Sequence, residues 1–262
     1  MTAAAQSPLW AKILAGGATD LTRARKLLKY LPGAPRCKMC NAPLHGLGRA
    51  IVSLAGRAPD PNNPSFCTPC QTLARLNPGG ADTVLTLLVA DGRAWAAKGL
   101  QPTKVPETIA RYHRAARRAL VEANGFIDRT VDGLVVSAFI PGLAGPDHAP
   151  LAASASHQML HETGHAGTAG PWLPVGIGLH TAVAHVGTAP AGPGTSPGKG
   201  VDVTVTGEAV AVAQSLAAAA RPGEVLVSES TVAAGIRTPE RRSVDLKAGT
   251  ALVGVLKVVP GH

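Results

Sequence analysis

The spacing of hydrophobic residues changes near residue 80 of the chain. Before that point, apolar residues are scattered among turns and basic residues, and only 20–30 has the pattern of a short amphipathic helix, capped by Asp20. After that point, continuous apolar runs alternate with runs that have a helical period. We therefore predict an N-terminal module over residues 1–80 and a larger domain over residues 81–262.

The larger domain is predicted to be an α+β fold with a ferredoxin-like core, because its strands and helices follow the order βαββαβ and then continue with further strands. The apolar run 83–90 is typical of a strand buried on both faces. The helix that follows, over 106–125, begins at Pro106 and stops at Asn124-Gly125. The other predicted elements are a hairpin over 126–140 with its turn near Asp132-Gly133, a helix over 149–162, a hairpin over 172–187, a flexible loop over 191–200, a strand over 201–206, a helix over 207–220, a strand over 224–229 and two strands within 241–259.

The N-terminal module contains all four cysteines, in two Cys-x-x-Cys pairs formed by Cys37 with Cys40 and Cys67 with Cys70. In a reducing compartment this pattern favours a metal site over disulfides. The second pair runs directly into the helical pattern 71–76, as in a zinc knuckle of the treble-clef type. We predict a structural Zn²⁺ bound by the four thiolates, with iron and a redox dithiol as alternatives.

Charge is concentrated in the same module. Residues 1–80 contain 10 Lys and Arg against 2 Asp and Glu, in a chain whose formal net charge is +9. Such a surface can face nucleic acid, an acidic partner, a membrane surface or only solvent. No apolar run approaches the roughly 20 residues of a membrane span, and the N-terminus is a poor signal peptide, so a cytoplasmic location is expected.

One further pattern, H-E-x-x-H over residues 161–165, is typical of zinc metalloproteases. That chemistry needs both histidines on one face of a continuous helix. Gly164 lies inside the pattern and GTAGP follows it, so we expect the helix to end near Thr163. The sequence therefore does not predict a protease site.

Four collinear segments carry the functional signal of the larger domain: LTLLVADGRA (85–94), FIDRTVDGLVVSAF (126–139), VGIGLHTAVAHVG (175–187) and VDVTVTGEAVAVAQSLAAAARPGEVLVSES (201–230). Together they resemble the motifs of the class III adenylate and guanylate cyclases, over roughly residues 85–260. The resemblance implies a purine-nucleotide site that is assembled across a head-to-tail homodimer, or across a heterodimer with another cyclase-like chain. Two-metal phosphoryl chemistry is the mechanism that it implies.

The resemblance assigns roles to five residues. Asp91 corresponds to the first metal carboxylate, for Mg²⁺ or Mn²⁺, and Arg129 replaces the base-reading Lys. Thr204 corresponds to a second base contact, and Lys247 to the Lys that binds the outer phosphates. Asp132 lies one residue out of register with the second metal carboxylate.

Three expected groups are missing from the same alignment. Gly133 stands at the second carboxylate position, and the helical pattern GDxVNxAxR has Ala211 and Ser215 in place of its Asn and Arg. Losing one well-placed charge stabiliser costs about 10²–10³ in rate. The sequence therefore favours a degenerate cyclase domain used for regulation, dimerisation or nucleotide-linked signalling. The alternatives are an active cyclase making cAMP or cGMP and a zinc-dependent nucleic-acid-binding protein.

Overall fold

A computed structural model describes residues 6–93, 101–190, 200–246 and 249–258. The chain folds into two compact units, each made of several segments. The first unit consists of Met1–Thr83, Ile140–Pro146 and Ala184–Thr206, and the second of Val84–Phe139, Asp147–Val183 and Gly207–His262. In chain order the elements are α1 (Pro8–Leu14), α2 (Thr19–Leu28), α3 (Leu47–Leu54), α4 (Thr68–Leu76), β1 (Gly80–Asp91), a 3₁₀ turn (Pro102–Lys104), α5 (Val105–Glu122), β2 (Phe126–Val131), β3 (Leu134–Phe139), α6 (Pro141–Ala144), α7 (His148–Glu162), β4 (Gly176–Pro190), β5 (Val201–Thr206), α8 (Glu208–Ala219), β6 (Glu224–Ser228), α9 (Glu229–Ala233), β7 (Glu240–Leu246) and β8 (Gly249–Lys257).

The first unit packs its short helices around a few large side chains. Trp10 of α1 is buried, and its indole nitrogen donates a 2.9 Å hydrogen bond to the carbonyl of Asn77, which follows α4. Thr22 of α2 donates to the carbonyl of Gly142 in α6 at 2.9 Å. The last residues of β4 pair antiparallel with β5, with His185 opposite Thr206. These contacts bring segments that are distant in sequence into one unit.

The strand order confirms the predicted α+β topology. The sheet runs β2-β3-β1-β4-β6-β8-β7, and β5 pairs with β4. Antiparallel pairs join β1 to β3 and β2 to β3, whereas β4 and β6 are parallel. Because α5 follows β1 and α7 follows β3, the part β2-β3-β1-β4 has the ferredoxin-like arrangement.

The boundaries of β1 and α5 follow from residues that the sequence already singled out. Residues 87–90 of β1 are fully buried, as expected for a strand covered on both faces. The helix α5 ends at Glu122, where Asn124 adopts a left-handed φ of 58° and Gly125 donates to the carbonyl of Leu120 at 2.7 Å. This ending is the predicted Asn-Gly stop.

The helix α7 ends before the second histidine of the H-E-x-x-H pattern. Its last residue is Glu162, and Gly164 has a positive φ of 90°. Since His165 lies beyond this turn, the two histidines do not share one helix, as the sequence predicted. Within the described ranges, no helix combines the length and the hydropathy that crossing a membrane requires.

The prediction of a hairpin over 172–187 is wrong, because this segment lies mostly in the single 15-residue strand β4. Two glycines of this segment serve close packing rather than a turn. A Cβ atom on Gly178 would come within 2.4 Å of the carbonyl oxygen of Ala213 in α8. A Cβ atom on Gly187 would come within 2.7 Å of the carbonyl oxygen of Gly79. The predicted flexible loop over 191–200 lies, except for residue 200, outside the described residues.

We predict that Gly178→Ala destabilises the protein by about 1–3 kcal/mol or more, because the added methyl group must push the α8 backbone away. Chemical denaturation measures the free energy of unfolding. Gly167→Ala is the matched control, since the atom nearest to its added Cβ is 3.5 Å away. Equal stability of the two variants would contradict the packing of α8 on β4.

Candidate functional site

The four cysteines converge on one point inside the first unit. All are buried, and their sulfur atoms lie within 4.8 Å of one another. The Sγ atoms of Cys40 and Cys67 are 3.6 Å apart. A tetrahedral zinc site with Zn–S bonds of about 2.3 Å has sulfur–sulfur edges of about 3.8 Å. The donor set and its spacing therefore fit a tetrahedral metal ion.

Local backbone structure positions the two cysteine pairs differently. Cys37 and Cys40 lie in a tight knuckle, in which the Cys37 amide donates to the carbonyl of Ala42 at 2.8 Å and Asn41 adopts a positive φ of 60°. Cys67 is the N-cap residue of α4, and Cys70 lies in its first turn, as predicted. A helix N-terminus stabilises thiolate charge.

Two arginines stand next to the sulfur cluster. The Arg25 guanidinium is fully buried and donates from Nη1 to the carbonyls of Lys38 and Met39 at 2.8 Å each. Burial lowers the pKa of Arg25 to about 10, although the cysteine sulfurs act in the opposite direction. Burial alone would lower the pKa of Arg57, but its interactions with the cysteine sulfurs are stronger and raise this pKa overall.

The charges of this cluster balance when a divalent cation is present. Burial raises the pKa of the Cys37 thiol, so ionisation of this cysteine needs a cation beside it. A divalent ion with four thiolates carries two negative charges, which the two guanidinium groups offset. Sulfur-only tetrahedral sites suit zinc and iron. Among the described residues, this is the only group of three or more His, Cys, Asp or Glu side chains that could hold a metal ion.

An ion pair links the knuckle to β5 within the same unit. The Nζ atom of Lys38 lies 2.8 Å from both carboxylate oxygens of Asp202. Close by, the Asn63 side-chain amide donates to the carbonyl of Val201 at 3.0 Å. Thr204, which the resemblance assigns to base recognition, lies in the same strand β5. The N-terminal module over residues 1–80, called the cysteine module below, therefore contacts the strand that contains Thr204.

In the second unit, Asp91 is the last residue of β1, and Arg93 holds its carboxylate. Arg93 donates from Nε to Oδ1 at 2.9 Å, from Nη2 to Oδ2 at 2.6 Å and from its backbone amide to Oδ1 at 2.9 Å. Burial would raise the pKa of the Asp91 carboxyl, but the hydrogen bonds and charge of Arg93 lower it overall. Both oxygens that a metal ion would use are therefore already bound to a cation.

The hairpin turn beside Asp91 offers no second carboxylate aligned with it. Asp132 and Gly133 form this turn with positive φ angles of 48° and 82°, and the Gly92 amide donates to the Gly133 carbonyl at 2.9 Å. Asp132 is exposed, and Gly133 has no side chain. Arg129 lies in β2 and pairs with Asp128 at 3.1 Å. The residues present therefore do not fit a two-metal site.

The remaining predicted residues lie on other elements. Ala211 and Ser215 are one turn apart on α8, where the Ser215 hydroxyl donates to the Ala211 carbonyl at 2.9 Å. Thr204 lies in β5 of the first unit, and Lys247 falls outside the described residues. No positively charged side chain of α8 replaces the missing Arg, because the helix contains none.

A cavity of about 410 Å³ opens beside Asp91 and Arg93 in the second unit. Arg93 is the only cationic residue among those that line it, and it is already paired with Asp91. Among the described residues, this cavity therefore offers a triphosphate no cation that is not already paired with a carboxylate. The other lining residues are Pro174, Gly176, Ala217, Ala218, Ala220 and Pro222.

Sequence reasoning did not identify Arg25, Arg57 and Arg93 as parts of these sites. A signal existed only for Arg93, which follows Asp91 by two residues in the sequence. Arg25 looked like any other basic residue of an amphipathic helix, and only the tertiary structure places it against the cysteine knuckle.

Comparison with known structures identifies the fold. No protein-family model and no curated protein matches the chain. A guanylyl cyclase, Cya2, matches with a TM-score of 0.57 and 22% identity, over 70% of this chain and 95% of that chain. The adenylyl cyclase CyaB from P. aeruginosa gives 0.54 and 22%, over 70% and 97%. The guanylate cyclase domain of RhGC from Catenaria anguillulae, solved in complex with GTP, gives 0.55 and 14%, over 68% and 98%. The chain therefore has the fold of class III cyclase catalytic domains, and identities this low show the fold alone.

We predict that purified protein contains one zinc ion per chain and that Cys40→Ser lowers both the zinc content and the unfolding temperature, because the site contributes folding energy. Elemental analysis and thermal unfolding with and without a chelator measure these effects. Protein that folds stably without zinc or iron would contradict a metal site, and iron in place of zinc would contradict the choice of metal.

We predict that Arg25→Ala costs about 2–3 kcal/mol of unfolding free energy, since two hydrogen bonds from a charged group to the knuckle are lost. Release of zinc to a chromogenic chelator should also become faster. Arg23→Ala, at an exposed position of the same helix, is the matched control. Equal effects of the two substitutions would show that Arg25 does not support the knuckle.

Proposed function

We propose that this chain is a degenerate class III cyclase-homology protein, with a cyclase-like domain over 81–262 that follows a structural zinc module over 1–80. The domain acts in dimerisation, nucleotide-linked signalling or regulation rather than in efficient synthesis of a cyclic nucleotide. The single observation that carries this proposal is the pairing of Asp91 with Arg93 through both carboxylate oxygens. A cytoplasmic location, where paired cysteines stay reduced, belongs to the same proposal.

Three further features support the loss of catalysis. Gly133 provides no carboxylate, and its φ of 82° would strain any residue with a side chain. Ala211 and Ser215 provide neither the amide nor the guanidinium that the cyclase resemblance requires. Groups that act mainly in the transition state affect rate more than binding. A domain that has lost catalysis can therefore still bind a nucleotide through Arg129, Thr204 and Lys247.

A dimer is part of the proposal because the resemblance implies a site shared between two chains. The same losses then occur in both half-sites of a homodimer. A heterodimer with an intact cyclase-like chain could supply one complete half-site. Light scattering of the purified chain, alone and with such a partner, distinguishes these assemblies.

We predict that the purified protein, assayed with ATP or GTP and Mn²⁺, forms cyclic nucleotide far more slowly than the usual enzyme range, which begins at about 1 s⁻¹. The double variant Ala211→Asn/Ser215→Arg should remain inactive, because Arg93 still binds both carboxylate oxygens of Asp91. Activity should appear only when Arg93→Ala and Gly133→Asp are added, and the strain at Gly133 should keep it low.

Ser154→Arg, at an exposed position of α7 that does not line the cavity, controls for the added charge. Calorimetry with ATP and GTP runs beside the assay. Binding without turnover agrees with a regulatory nucleotide site. Turnover of the wild-type protein at about 1 s⁻¹ or faster would refute the degenerate assignment and favour an active cyclase.

A further inference from the structure

Exposed aliphatic and aromatic side chains are concentrated in the cysteine module. Six of the ten large hydrophobic residues that are exposed in the described structure lie between residues 27 and 76. Single exposed apolar residues are ordinary, but a group of them marks an interaction surface. We call five of them the apolar face: Leu27, Tyr30, Leu47, Ile51 and Leu54.

The helix α3 supplies three of these residues on one side. Leu47, Ile51 and Leu54 follow the i, i+4, i+7 spacing of a single helix face and are 81%, 55% and 93% exposed. The buried residues of α3, Gly48 and Val52, lie on another side of the helix. In the described structure, α3 therefore has an apolar face that remains exposed to solvent.

The helix α2 adds basic residues to the neighbouring surface. Arg23, Lys26 and Leu27 are exposed and, with Tyr30 just beyond the helix, follow the spacing of one face. The Gly48 amide donates to the carbonyl of Pro32 at 3.0 Å, so the turn after α2 contacts the start of α3. Apolar and cationic side chains are thus exposed on adjoining parts of one small module.

We propose that the apolar face docks the cysteine module onto an anionic lipid surface. Side chains that are 78–93% exposed, such as Tyr30, Leu47 and Leu54, protrude from the surface and suit shallow insertion between lipid headgroups. The positive charge of the module complements anionic lipids and opposes pairing with a second copy of itself. Nucleic acid would use the cations but would leave the aliphatic side chains in water. The contact is peripheral and needs no membrane-spanning helix.

The test is co-sedimentation of the full zinc-loaded chain with phosphatidylcholine vesicles that contain about one third phosphatidylglycerol. We expect partition into these vesicles, and little into pure phosphatidylcholine, because each basic residue near an anionic surface contributes about 1 kcal/mol. The triple variant Leu47→Ser/Ile51→Ser/Leu54→Ser should bind at least about a hundredfold more weakly. Arg23→Glu/Lys26→Glu should lower binding by about tenfold or more.

The matched control is Val131→Ser/Val183→Ser/Leu252→Ser, which removes three exposed apolar side chains from the second unit and should leave binding unchanged. Zinc content and thermal unfolding of each variant verify the fold. No partition of the wild-type chain at millimolar lipid, or partition that the triple serine variant retains, would overturn the proposal. If the chain binds a DNA duplex but not vesicles, and if this binding needs Arg23 and Lys26 but not the aliphatic residues, the ligand of this surface is nucleic acid and not lipid. The outcome does not depend on whether the second unit makes cyclic nucleotides.

Discussion

The burial of β1 on both faces is the constraint on which the second unit depends. Because residues 85–90 are wholly covered, Asp91 at the carboxyl end is the first position after this run where the strand carries a side chain that is not fully buried. The antiparallel register with β3 places Leu134 opposite Asp91 and so brings the Asp132-Gly133 turn to the same end of the sheet. At this end Arg93 holds the Asp91 carboxylate, and Gly133 provides no side chain. The proposal of a degenerate cyclase domain depends on these two residues.

The first unit depends on a different constraint, because it buries four sulfur atoms together with a guanidinium group. Burial raises the pKa of the Cys37 thiol, and a buried cation without counter-charge is costly. A divalent metal ion would offset both costs, because it would bind the cysteines as thiolates and so place negative charge beside Arg25 and Arg57. The Lys38–Asp202 pair then ties the knuckle to β5. The metal centre is therefore expected to stabilise a strand that is remote from the cysteines in sequence.

Much of the architecture could be predicted because its signals are local. Pro106 and Asn124-Gly125 delimit α5, and the Asp132-Gly133 turn needs positive φ angles that glycine and aspartate tolerate. The predicted hairpin over 172–187 failed because a glycine in a strand can serve a turn or a close approach of another backbone, and the chain sequence does not distinguish the two uses.

The sequence alone was sufficient to predict most strands and helices and the two cysteine pairs, and it has Gly133, Ala211 and Ser215 where the cyclase resemblance implies a carboxylate, an amide and a guanidinium. Only the tertiary structure decided that Arg93 occupies the carboxylate of Asp91, that Arg25 lies under the cysteine knuckle, and that α3 leaves three aliphatic side chains in solvent. The reason is physical. The spacing of residues along a helix or strand determines which side chains share a face. Which residue pairs with a charged side chain, and which element packs on a helix face, depends on segments that are distant in the sequence.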